Sequence, residues 1–328
     1  MTKIAIIGAG LSGLSAAYLL KDYAEITLFE KGRGVGGRIS TRRAEPYFFD
    51  HGAQYFTART KPFHDFIQPL LDQGIIERWN ARYMKFESNQ IVERKNWSHE
   101  EPRYVGVTGM NQVGKFLAKG LDIKLNTRIA SLKNQDKWQL TDEQAQQYSD
   151  FDWVICTIPS PQAIAVLPKS FKYYADIKAI KMQAFFSLML GFERDLPLEF
   201  EAAHVTNSDV SWIAVNSHKP KRLSHFSLMV HSSGEYAEAH IDDNHEEVMQ
   251  HLIAETSHII GCDVGSADYK TLHRWLYANN VQRDQNSPIF LDKEHKLAVC
   301  GDWCLGGRVE SAFTSAYNLV LKMKENKL

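Results

Sequence analysis

The stretch Lys3-Ile4-Ala5-Ile6-Ile7-Gly8-Ala9-Gly10-Leu11-Ser12-Gly13 stands near the start of the chain and decides its fold. Its first five residues are mostly branched and apolar, the pattern of a short buried strand. Gly8, Gly10 and Gly13 then turn the chain into an apolar helical run that reaches Leu20. A second strand, Glu25-Ile26-Thr27-Leu28-Phe29, ends at Glu30. Strand, glycine turn, helix, strand and acid, in that order, make a dinucleotide-binding unit of the Rossmann kind. The first glycines let a pyrophosphate approach the backbone, and the helix N-terminus offers free N–H groups and a positive dipole. The acid at the end of the second strand accepts ribose hydroxyls. Ser12 in the turn and Lys31 after the acid complete the candidate contacts of this segment.

Outward from this unit, composition narrows the class. The chain has 328 residues, a length that predicts two domains of roughly 150 residues each. Lys and Arg number 38 against 39 Asp and Glu, a net charge of −1, so no basic footprint for nucleic acid or for a membrane surface is present. No uninterrupted apolar run reaches the ~18 residues of a membrane span. The N-terminal apolar stretch carries its glycines in the nucleotide turn, unlike a signal peptide, and no cleavage-like segment precedes it. A cytoplasmic location is expected. The four cysteines, Cys156, Cys262, Cys300 and Cys304, form no Cys-x-x-Cys pair. Cys300 and Cys304 fit small residues lining a buried strand and turn better than a redox pair. His240, His245 and His251 beside Asp242 and Asp243 match no zinc or calcium spacing and read as a solvated helix face.

A second glycine cluster follows the acid: Gly32-Arg33-Gly34-Val35-Gly36-Gly37-Arg38. It resembles the glycine-doublet segment of the FAD-containing amine oxidase superfamily, where an arginine follows the acid at the spacing of Glu30 and Arg38. The doublet lets backbone approach the cofactor, and Arg38 offers charge to a phosphate. The bland alternative is a solvated basic loop. The resemblance implies FAD rather than NAD as the held cofactor, and Glu30 opposes a ribose 2′-phosphate there because two anions repel.

Further segments fall into the same register. Phe48 to Thr57 is aromatic-rich, and the similar segment of the superfamily runs along the flavin, which makes Gln54 and Tyr55 candidate flavin contacts; core packing explains the same aromatics. Residues 61–104 turn polar and aromatic. Gly106 to Gln112 resembles the superfamily's glycine-methionine turn and leads into a helix through Val113, Phe116 and Leu117. A strand is expected from Ile123 to Ile129, and the resemblance places the backbone of Ile129 at the adenine. Trp138 to Leu140 and Asp152 to Pro159 read as further strands. From Gln162 to about Pro288 the chain is β-rich, with one long amphipathic helix from Asp243 to Ile260. Leu297-Ala298-Val299-Cys300-Gly301-Asp302 is a strand ending in Gly-Asp, and Val309 opens the last helix. In the superfamily the acid, here Asp302, binds the ribityl or pyrophosphate portion and the helix start, here Val309, points at flavin N1 and O2, where a dipole stabilises the reduced flavin's charge. Asp302 also fits a helix cap or turn former, but the glycine before it and the returning strand favour the cofactor role.

The expected fold is therefore α/β: a Rossmann-like FAD-binding domain of glycine-doublet type over 1–60, 105–160 and 289–328. A second, α+β substrate domain on a mixed β-sheet is expected over 61–104 and 161–288. Three strings, His51 to Arg59, His273 to Ala278 and Cys300 to Ala312, look like those of bacterial renalase-type flavoproteins within that superfamily. That resemblance implies non-covalent FAD and oxidation of misreduced 2- and 6-dihydro isomers of NAD(P) to NAD(P)+. Hydride passes to flavin N5, and O2 becomes H2O2. It makes a small dinucleotide and O2 the partners.

Two departures from amine oxidases proper fit it. No lysine occurs between Lys181 and Lys219, where many of those enzymes place one near flavin N5. Where they begin the last helix with an aromatic cage residue, this chain has Arg308, a better partner for phosphate than for a protonated amine. Only one dinucleotide-binding glycine turn is present. Tyr55, Trp275, Tyr277 and Arg308 are the candidate catalytic and substrate contacts; His273 and Arg274 are weaker candidates, because neighbours on a strand face opposite ways. A true amine oxidase and a non-enzymatic FAD redox sensor are the rival readings.

Overall fold

The structure, a computed structural model, describes residues 1–222, 225–281 and 287–325. The domain extents expected from the sequence also take in 223–224, 282–286 and 326–328, which lie outside the described residues. A six-stranded sheet runs in the order Phe290–Asp292, Leu297–Val299, Trp153–Cys156, Thr2–Ile7, Ala24–Phe29, Asp122–Lys124. Its pairs are parallel except for the Phe290–Asp292 edge. A parallel sheet covered on both faces needs apolar residues on both sides of each strand, and Ile4, Ala5 and Ile6 are accordingly sealed from solvent.

The helix Leu11–Leu20 leaves the first strand through Gly8, whose φ is 101°. Any Cβ on Gly13 would stand 2.0 Å from the Gly8 carbonyl oxygen, so only glycine lets the helix pack this close to the strand end. Ser12 Oγ donates to the Ala312 carbonyl at 3.0 Å and ties this helix to the last one, Val309–Glu325. A third helix, Lys61–Asp72, joins them through Phe66, whose ring centroid lies 4.4 Å from that of Phe313. Glu310 accepts from the backbone N–H of Arg59 and Thr60 and from Thr60 Oγ1, so the last helix holds the two residues that lead into Lys61–Asp72.

The chain does not run as one strand from Ile123 to Ile129. Asp122–Lys124 ends the large sheet, Asn126 takes φ 52°, and Thr127 N–H returns to the Glu30 carbonyl at 2.9 Å. Ile129 then opens a strand of a separate three-stranded sheet with Trp138–Asp142 and Gln147–Phe151. Asparagine tolerates the left-handed backbone that the turn needs, and periodicity alone does not register such a break.

A seven-stranded sheet runs in the order Tyr269–Asn280, Met182–Gly191, Ser227–Ser232, Val210–Val215, Ala202–Thr206, Arg82–Glu87, Gln90–Asn96. It is antiparallel except where Ala202–Thr206 meets Arg82–Glu87, so the sheet is mixed. Alternation sorts its two faces. Leu188, Leu190, Ile213, Leu228 and Val230 pack with Val248 and Leu252 of the helix His245–Ile260, which Asn244 caps through the N–H groups of Glu246 and Glu247. Met189, Met229, Ala202 and Ala214 point the other way, into the core that holds Ile4 and Leu14. This inner face closes over the first sheet, and the candidate site lies between them.

Candidate active site

The nucleotide cradle forms where the first strand ends. Gly10 precedes the first helix without a side-chain cap, and nothing stands within 4 Å of where its Cβ would be. The helix N–H groups therefore face open space. Glu30 is held at the end of the second strand: its carboxylate accepts from Ala9 N–H at 2.9 Å and Gly32 N–H at 2.7 Å. Each oxygen keeps a lone pair for a further donor. The two glycine clusters meet, because Gly36 N–H donates to the Ala9 carbonyl at 2.8 Å. Lys31 is exposed beside Glu30, and Ile129 is buried just beyond the turn that Thr127 makes back to it. An uncapped helix start, an open glycine and an acid with free lone pairs fit a dinucleotide.

Arg38 and Asp302 come together at the far end of this cradle. The guanidinium donates to both carboxylate oxygens, at 2.8 and 2.5 Å, and also to the Ala278 carbonyl at 2.9 Å. After Asp302 the chain turns through Gly306 and Gly307, both at positive φ, into the helix that starts at Val309. A Cβ on Gly307 would collide with the Asn279 side chain, so this turn lies against the end of the Tyr269–Asn280 strand. Arg308, at the tip, is exposed; its carbonyl accepts from Ala312 N–H at 3.1 Å, and its side chain makes no ion pair or hydrogen bond among the described residues.

That strand presents His273 and Trp275 on one face by alternation, and its register shifts between Trp275 and Asn279, around Tyr277. Trp275 Nε1 donates to the His51 carbonyl at 2.8 Å, and its ring stacks on the His51 imidazole at 5.2 Å. His273 meets both rings edge-on, at 5.0 and 4.5 Å. Arg274 faces away and donates to the Ile241 carbonyl. Ser187 Oγ also donates to the His51 carbonyl, at 2.8 Å. Burial pushes His51 down to about 4, with His273 and Arg42 adding to it. Burial, with Lys219 and His51 beside it, takes His231 to about 3. Both imidazoles are neutral at physiological pH.

Gln54 and Tyr55, adjacent in sequence, point to different surroundings. Gln54 is buried; its amide N–H donates to the carbonyls of Asp50 and Gly52, and its oxygen accepts from Lys219 Nζ at 3.1 Å. Tyr55 packs between Trp97 and Trp212, with ring centroids at 5.0 and 5.6 Å.

Lys219 is the residue the sequence reading missed. It ends the lysine-free stretch that begins after Lys181, and its side chain is fully buried. It lies 3.2 Å from Asp50, which also pairs with Arg222 at 2.5 Å and accepts from Thr41 and Met110. Burial works to raise the Asp50 carboxyl, but the two cations and two donors outweigh it and hold it near about 2. Burial, with Arg222, lowers Lys219 to about 8 against the pull of Asp50. A lysine inside Lys219-Pro220-Lys221-Arg222 reads as a solvated turn, and it is Asp50 and Gln54, 169 and 165 residues away, that draw it inward.

Elsewhere, His240 pairs with Asp243 and His251 with Asp209, and no group that could hold a metal occurs among the described residues. Cys156, Cys300 and Cys304 are buried free thiols, each pushed up by burial.

A Rossmann cradle, a glycine-doublet loop and a final helix aimed back at them from a Gly-Asp strand end define a flavin-dependent oxidoreductase. The chain belongs to the flavin-containing amine oxidoreductase family, which it matches over residues 79–320, and residues 6–70 match the NAD(P)-binding Rossmann-like domain. It is 21% identical to renalase of Mus musculus over 99% of each chain. It is 32% identical to coproporphyrinogen III oxidase of Staphylococcus aureus, over 28% of this chain and 21% of that one. The same fold occurs in a structure from Exiguobacterium sp. 255-15 provisionally named a protoporphyrinogen oxidase, with TM-score 0.79 and 14% identity over 99% of each chain. It occurs also in putrescine oxidase bound to putrescine, with TM-score 0.72 and 13% identity over 99% of each.

Proposed function

We propose that this chain oxidises misreduced dihydronicotinamide dinucleotides, the 2- and 6-dihydro isomers of NAD(P), to NAD(P)+ in the cytoplasm, holding FAD without a covalent link. The observation that carries the reading is Arg308, an exposed cation without a partner among the described residues, set where the aromatic inner face of Tyr269–Asn280 meets the start of the last helix. Similarity to renalase along the whole chain supports it. FAD, when bound, would supply the hydride acceptor and the relay of the electron pair to O2.

The substrate's dihydropyridine ring loses a hydride and becomes the aromatic nicotinamide cation, so no general base is required. O2 gains that hydride's two electrons and proton together with one proton from solvent, and leaves as H2O2. The chain's part is positioning and electrostatics. Trp275, locked by His51, and Tyr277 two residues further along the strand offer planes for the ring, and Arg308 offers charge to the phosphates. The neutral imidazoles of His51 and His231 add no repulsion toward the cation that forms. The N-terminus of Val309–Glu325 favours negative charge at the cofactor.

Lys219 and the family's name favour a second reading, amine oxidation. Anaerobic mixing separates the two. The oxidised protein should bleach with a dihydronicotinamide isomer and stay yellow with simple primary and secondary amines. Bleaching by an amine, and by no dihydronicotinamide, reverses the assignment.

A further inference from the structure

The inner face of the seven-stranded sheet carries aromatic surface at two places, and the second has no role in the chemistry above. Cross-strand register places His273 opposite Ser187, Ser187 opposite His231 and His231 opposite Trp212. Trp212 thus stands three strand spacings, about 14 Å, from the strand that bears Trp275 and Tyr277, and on the same face.

Around Trp212 the rings form a stack. Tyr55 lies at 5.6 Å from it and 5.0 Å from Trp97, which stacks on Tyr83 at 5.6 Å. The Arg103 guanidinium sits 4.3 Å above Trp97 and 5.9 Å from Tyr55. Trp97 is buried, whereas Tyr55, Tyr83 and Trp212 are only partly covered. The indole N–H groups of Trp97 and Trp212 and the Nε–H of Arg103 are shielded from solvent, yet meet no acceptor among the described residues. Shielded donors without acceptors cost free energy that a ligand with ring nitrogens or hydroxyls recovers.

Partly open aromatic faces, a cation over them and unsatisfied donors together suit a purine nucleoside, whose base stacks on rings and guanidinium planes and accepts through its ring nitrogens. We propose that Trp212, Tyr55, Trp97 and Arg103 bind the adenosine half of the dinucleotide substrate while its nicotinamide half lies at Trp275 and Tyr277. This extends the substrate reading above and rests on it for the identity of the whole ligand. The adenosine of FAD is a different one, held at Glu30.

ADP-ribose, which has the adenosine and pyrophosphate but no nicotinamide, tests the subsite without turnover. Titrated into FAD-loaded protein, it should quench indole fluorescence saturably while the flavin stays bound. Trp212→Leu and Arg103→Met should each weaken its binding by about tenfold or more, the loss of one base–ring or cation contact. Arg103, partly covered and held by the Glu101 carbonyl at 3.0 Å and carboxylate at 3.6 Å, belongs to no strand of the sheet, so Arg103→Met keeps the test decisive if Trp212→Leu does not fold. Absence of binding at millimolar ADP-ribose, equal binding by wild type and Arg103→Met, or release of FAD by ADP-ribose would each overturn the subsite. Protein that binds ADP-ribose with this sensitivity but is bleached by no dihydronicotinamide keeps the subsite and loses the substrate reading. Protein that is bleached but binds no ADP-ribose does the reverse.

Discussion

Arg38 and Asp302 meet in a two-pronged ion pair across 264 residues of sequence, joining the second glycine cluster to the end of the last parallel strand. The sequence places Arg38 at a phosphate and Asp302 at the ribityl or pyrophosphate portion; in the structure the two pair with each other. A planar guanidinium held on both carboxylate oxygens is geometrically specific as well as strong. In a double-mutant cycle, Arg38→Met and Asp302→Asn should show a coupling of about 1–2 kcal/mol in denaturant unfolding of the FAD-free protein. Additive single effects would show the pair to be energetically idle.

Glu30 organises the cradle as well as facing it. Glu30→Ala removes an acceptor from Ala9 and Gly32 as well as from a ribose, and charge-assisted bonds contribute on the order of 1.5–3 kcal/mol each. FAD affinity should fall at least about tenfold, measured by flavin fluorescence on titration, with secondary structure retained by circular dichroism. An unchanged dissociation constant would remove Glu30 from the cofactor site.

Arg308→Met keeps length and apolar stem and removes the charge. The variant should retain FAD, while its second-order rate of anaerobic reduction by the dihydronicotinamide dinucleotide falls about tenfold or more. Because the Arg308 side chain has no partner among the described residues, the melting temperature should hardly move. A large loss of stability would mean that it has a structural partner instead.

Acid should destabilise the fold well above the carboxylate range. His51 and His231 resist protonation in the folded chain down to about 4 and about 3, whereas the unfolded chain takes up those protons near 6.5. The unfolded state therefore binds more protons as pH falls through 6.5, and stability drops from there toward pH 4. Each histidine should withdraw about 2 kcal/mol between pH 7 and pH 5. Urea unfolding at both pH values checks this, and His231→Gln should flatten the dependence by that one share.

All the yellow colour should pass into the supernatant on acid precipitation. The buried thiols of Cys156, Cys300 and Cys304 are held in the unreactive protonated form, and no cysteine lies between Leu276 and Val299. Flavin left in the pellet would contradict non-covalent binding.

The first strand, turn and helix were legible because their signal is local: Ile4 to Ile7 are apolar on both faces, and Gly13 answers to one contact with Gly8. The long helix was legible for the same reason, with Asn244 and Gly261 marking its ends. What depends on distant partners was not. The break at Asn126 arises because Thr127 returns to Glu30. Lys219 belongs inside because Asp50 and Gln54 receive it, and Trp212 shares a face with Trp275 only through the register of four strands. Composition and periodicity carry no trace of such pairings.

The central sheet is completed late in synthesis. Leu297–Val299 slots beside Trp153–Cys156, and only then do Asp302 and the last helix reach a cradle laid down by the first 38 residues. On the ribosome, a growing chain has a pyrophosphate turn with nothing to close it, and contacts this remote form slowly. A chain cut before residue 302 therefore keeps the glycine turn and loses both the Arg38 partner and the final helix that pack against it.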